Sequence, residues 1–118
     1  MKNQPIRLAG EIVFDSLEHS LANITVYVRL ENVSLADAPS QVVCETVLRN
    51  VTVAMQHPGQ VRFMLQCPSL DERASYTISV HADVTGSGTI QVGDYITMEH
   101  IPIGSSTQMP VIVRVRQV

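Results

Sequence analysis

Tryptophan is absent, aromatic residues make up 4% of the 118, and Lys2 is the one lysine. Each shortage excludes something. A core with no Trp and two Phe must be filled by Val, Ile and Leu, whose β-branched members suit the pleated surface of strands. The arginines are scattered, with no aromatic residues interleaved among them. The chain therefore lacks the basic stripe that nucleic-acid binding requires. No run approaches the ~18 apolar residues of a membrane-spanning helix. Cysteine is scarce as well. Cys44 and Cys67 stand outside any CxxC spacing, and they read as buried free thiols acting like small apolar side chains. The alternative is a disulfide, since the two would fall on neighbouring strands near one end of a hairpin.

The opening Met1-Lys2-Asn3-Gln4-Pro5 shows neither an apolar targeting segment nor a cysteine after a leader. The chain as it stands is expected in the cytoplasm, or in the periplasm or cell envelope if a leader has been trimmed.

What is present is alternation. Ile24-Thr25-Val26-Tyr27-Val28-Arg29-Leu30 places apolar residues on one face and Thr25, Tyr27 and Arg29 on the other, the mark of a half-buried strand. Similar blocks cover about Ile6–Phe14, Gln41–Met55, Val61–Leu65, Tyr76–Val84, Tyr95–Ile103 and Val111–Val115. Pro and Gly punctuate them, as in His57-Pro58-Gly59 and the non-alternating stretch from Glu31 to Ser40, which reads as a loop with one short helical turn. The expected fold is all-β: a single antiparallel β-sandwich of about seven strands, one domain over residues 1–118 with its ordered core over about 6–117. Leu8, Ile12, Val26, Val28, Phe63, Leu65, Ile78, Val80, Val111 and Val113 should fill it.

Two blocks change parity. Leu48 is even-numbered and Val51 odd; Met98 is even-numbered and Ile101 odd. A one-residue slip sends every later side chain to the opposite face, so bulges are expected near Arg49-Asn50 and near Glu99-His100.

Several blocks together carry a family likeness: Val28-Arg29-Leu30-Glu31-Asn32-Val33-Ser34-Leu35-Ala36-Asp37-Ala38-Pro39, Val61-Arg62-Phe63, and Tyr76 leading to Asp83-Val84-Thr85-Gly86-Ser87-Gly88 and Gly93-Asp94-Tyr95-Ile96. From Ile6 to Val115 the chain resembles the YbaY/YscW-like family, described as type III secretion system lipoprotein chaperones or pilot proteins. The resemblance implies a non-enzymatic module that binds a protein partner, in pilot proteins a secretin. The sequence departs from the family pattern in two ways: it has no lipid-attachment site, and Thr85 and Ser87 stand where acidic residues often occur.

Little else suggests chemistry. No GxSxG elbow, HxH or HExxH appears, so neither an enzyme nor a cofactor is expected, and His19, His57, His81 and His100 read as solvent-facing. From Asp83 to Asp94, oxygen-bearing side chains at Asp83, Thr85, Ser87 and Asp94 resemble calcium-loop spacing, with Gly88 near the turn. Two carboxylates are little charge for calcium, and a polar turn explains the same residues. A calcium- or small-ligand-binding domain is the alternative function. For a protein partner, the outward Tyr27, Arg29 and Met64 are the candidate contacts, because exposed aromatic, Met and Arg residues are enriched at interfaces.

Overall fold

The computed structural model describes residues 4–35, 37–58, 61–104 and 106–118. Its strands are β1 (Ile6–Phe14), β2 (Leu21–Asn32), β3 (Gln41–Val53), β4 (Val61–Cys67), β5 (Tyr76–Asp83), β6 (Tyr95–Thr97), β7 (Pro102–Ile103) and β8 (Val111–Gln117). No helix occurs among the described residues; in the loop from Glu31 to Ser40 the Ala38 N–H donates to the Leu35 carbonyl at 3.3 Å, closing a single turn. Gly59, assigned to a turn from sequence, lies outside the described residues.

The all-β reading holds, but the two-sheet sandwich does not. The strands join one sheet in the order β3-β2-β5-β6-β8-β1-β4, with β7 paired to β5 off that path. The sheet curls until its two ends, β3 and β4, lie side by side in a nearly closed barrel. One pairing is parallel: β8 runs alongside β1, with Gly10 level with Val111 and Ile12 with Val113. Alternation cannot distinguish these architectures, because a barrel wall and a sandwich layer both bury every second side chain.

All ten expected core residues are buried, together with Phe14, Leu30, Tyr95 and Val115 among others. Gly10 shows how tightly the wall closes on this core. The Phe63 ring lies over it, and a β-carbon built at Gly10 would collide with that ring and come within 2.8 Å of the Val111 carbonyl.

The first parity fault is a bulge at the expected place. Ile24 is level with Val51 and Val26 with Leu48, leaving one extra residue on β3 at Arg49-Asn50. Asn50 adopts a left-handed φ of 56°, a conformation Asn tolerates better than most residues. Two further shifts were not anticipated, one beside Asn23 and one beside Val43. The second fault is a break in the strand: β6 stops at Thr97 and β7 begins at Pro102. There side-chain hydroxyls replace ladder partners. The Val80 N–H donates to Thr97 Oγ1 at 2.6 Å, and the Ile101 N–H donates to Thr77 Oγ1 at 3.0 Å.

Candidate functional site

Tyr27 and Arg29 come together as expected. Both point outward from β2, and the Arg29 guanidinium lies 5.6 Å from the Tyr27 ring centroid while pairing with Glu45 on β3. The neighbouring strand adds what the sequence did not signal. Tyr27 is level with His81 on β5, and the two rings stack at 5.6 Å. His81 was expected to face solvent. It points outward but is 8% exposed, because the Tyr27 ring and the chain beyond β5 cover it. The other three histidines are exposed.

Below His81 lies the Asp83–Asp94 loop. The His81 Nε2 is 2.8 Å from Asp94 Oδ2. Asp94 also accepts the N–H groups of Val84, Thr85 and Gln91, and Asp83 accepts those of Gly86 and Gly88. Gly86, Gly88 and Gly93 carry φ values of 77°, 84° and 105°, a region glycine enters without steric cost. This turns the backbone amides inward toward two buried carboxylates. Burial acts to raise the Asp94 pKa, but the hydrogen bonds with His81, Gln91, Thr85 and Val84 outweigh it and hold the carboxyl below its ordinary value.

His81, Asp83 and Asp94 each offer a ligand atom within 4.8 Å of the others. Asp94 already serves His81 and three backbone N–H groups, and Asp83 serves two more. Thr85 hydrogen-bonds to Asp83 and Ser87 lies on the exposed rim. Of the four residues with calcium-loop spacing, Asp83 and Asp94 brace the loop through its backbone N–H groups.

The second part of the surface is the seam. Among the described residues no backbone hydrogen bond links β3 to β4. A disulfide between Cys44 and Cys67 joins them, with Cα atoms 5.4 Å apart. This overturns the free-thiol expectation, because curling of the sheet brings its two end strands together. Beyond that bridge the two strands lie side by side without pairing. A groove of about 710 Å³ opens beside the seam, lined by Thr46 and Leu48 of β3, Arg62, Phe63 and Met64 of β4, Ala9, Gly10 and Glu11 of β1, and Pro110. Val47 of β3 is level with Tyr27, and Met64 lines the groove from the β4 side. Phe63 was read only as core and Leu48 only as part of a parity fault, and no local signal marks a groove that exists because two distant strand edges do not pair.

With this geometry in view, comparison with known proteins is decisive for the family. The family model for type III secretion system lipoprotein chaperones (YscW) matches residues 6–113. The chain belongs to the YscW family. A solved structure, described as an alternative pilotin from the type II secretion system of Vibrio cholerae, is similar with a TM-score of 0.73 and 25% sequence identity, covering 98% of each chain. No curated protein matches the sequence significantly. YscW membership makes this a secretion-associated protein-interaction module and associates it with the cell envelope. The span agrees with the resemblance seen in the strand and turn blocks.

Proposed function

We propose that this protein is a non-enzymatic escort that binds a secretin-type component of a secretion machinery at the cell envelope, the whole chain 1–118 acting as one unit. The end-to-end correspondence with a pilotin supports this most directly. Its docking surface is the outer belt that runs from Tyr27 and Arg29 across Val47 to Met64, beside the seam groove. Met64 is 48% exposed, and methionine adapts readily to an apolar partner surface. Arg29 supplies a cation already oriented by Tyr27 and Glu45.

Tyr27 shields His81, so its removal would disturb the loop as well as the surface. Arg29→Ala and Met64→Asp are cleaner probes. Each should reduce recovery of the secretin in a pull-down from native cells by roughly tenfold, as for a contact near the centre of an interface. Thermal stability should barely change. Full secretin recovery by both variants would exclude the belt as the docking surface. Recovery of no secretin by the unaltered protein would count against the escort role itself.

A further inference from the structure

The outer face of β4, β1 and β8 concentrates positive charge in a chain whose formal net charge is −3. Strand register brings Arg62 level with Glu11 and Glu11 with Ile112, while Arg114 is level with Val13 and Arg7 with Gln66. Arg116 continues the same face of β8, so four of the seven arginines point from one side of the barrel. All four are exposed. Their counter-charges are sparse: Glu11 lies 3.8 Å from Arg62, and Asp15 lies 3.6 Å from Arg114 and 3.9 Å from Arg116. One carboxylate shared between two guanidinium groups leaves the face positive. Between the arginines stand two exposed apolar side chains, Met64 at 48% and Ile112 at 46%.

We infer that this face rests on an anionic lipid surface, a function that shares Met64 with the protein-docking belt and rests otherwise on the arginines of β1, β4 and β8. Arginines on a convex strip of barrel wall can reach phosphate groups in one plane, pairing in the forked geometry guanidinium favours. Ile112 and Met64 can enter the headgroup boundary between them. The attraction is charge-driven and falls off within a Debye length, so salt should weaken it.

The test is co-sedimentation of the purified protein with vesicles of phosphatidylcholine containing about one-third phosphatidylglycerol, against phosphatidylcholine alone. At low salt the protein should favour the anionic vesicles, and raised salt should release it. Neutralising Arg62, Arg114 and Arg116 to Gln should cut the affinity by about five-fold for each arginine removed. Arg73→Gln, on the β4–β5 connection, should leave binding unchanged. Asp15→Asn should increase binding, a gain that misfolding could not imitate. Equal sedimentation with both vesicle types would overturn the inference, as would an equal loss from Arg73→Gln. Salt-sensitive capture of a secretin without vesicle binding would reassign the face to an acidic protein.

Discussion

Strand β3 pairs with β2 through three register shifts, whereas β2 pairs with β5, and β1 with β4 and β8, without one. The irregular half includes Asn23 and Asn50 at positive φ, a long terminal strand interrupted by bulges, and a following loop braced by buried carboxylates. The regular half is a plain ladder with an arginine-rich outer face and Phe63 packed over Gly10. The contrast separates two ways of holding a barrel wall. Where the ladder is continuous, alternating burial suffices. At the β6–β7 break and in the loop after β5, where the ladder stops, side-chain oxygens of Thr77, Thr97, Asp83 and Asp94 accept backbone N–H groups instead.

If that division is right, Asp94→Ala should have the largest effect. It leaves three backbone N–H groups and His81 without their acceptor in a buried site, a loss of about 3 kcal/mol in urea denaturation. Hydrogen exchange should rise over Val84–Gln91 and leave β1 and β4 protected. A loss below about 1 kcal/mol would mean that the carboxylate does not organise the loop. Acid should act in the same direction. The folded-state pKa of Asp94 lies below its ordinary value, so its contribution is present above the unfolded aspartate value of about 3.9 and is lost as pH falls through the lower folded value. The parent should therefore lose stability over that acidic window more than Asp94→Asn does.

The seam comes next. Replacing Cys44 and Cys67 together by Ser should cost about 2–4 kcal/mol, the usual range for one disulfide. Reductant should lower the melting temperature of the parent and leave the double variant unaffected. Because the disulfide ties the irregular half to the regular one, its loss should raise exchange in β4 more than in β8. Uniform change along the chain would show that the two end strands are held by something else.

In the regular half, Gly10→Ala should cost about 1–3 kcal/mol, because the added methyl group must displace the Phe63 ring. An unchanged melting temperature would show that the ring moves aside freely. The smallest effect belongs to the bulge. Asn50→Ala should cost about 1 kcal/mol at its left-handed φ, and Asn50→Gly should recover most of it. Equal stability of the Ala and Gly variants would mean that the bulge does not depend on that backbone conformation.

Alternation alone was enough to locate most of the β-strands, the ten core residues and the bulge at Arg49-Asn50, because burial on one face imposes a period of two and a parity fault has few local remedies; the block from Tyr95 to Ile103, read as one bulged strand, is two. The strand and turn blocks also carried the family likeness. Which strands pair was not legible. The β1–β8 partnership joins the two ends of the chain, and the β3–β4 seam depends on how far the whole sheet twists and curls. The disulfide and the groove between Leu48 and Phe63 follow from that closure, and the arginine face from the pairing of β1 with β4 and β8. The burial of His81 was not legible either: it is an outward residue by sequence parity that the Tyr27 ring and the Asp83–Asp94 loop cover only in the folded chain. Local pattern specifies which face of a strand is apolar, but contacts between residues far apart in sequence depend on the sum of twists across the entire sheet, and that sum exists only in the tertiary structure.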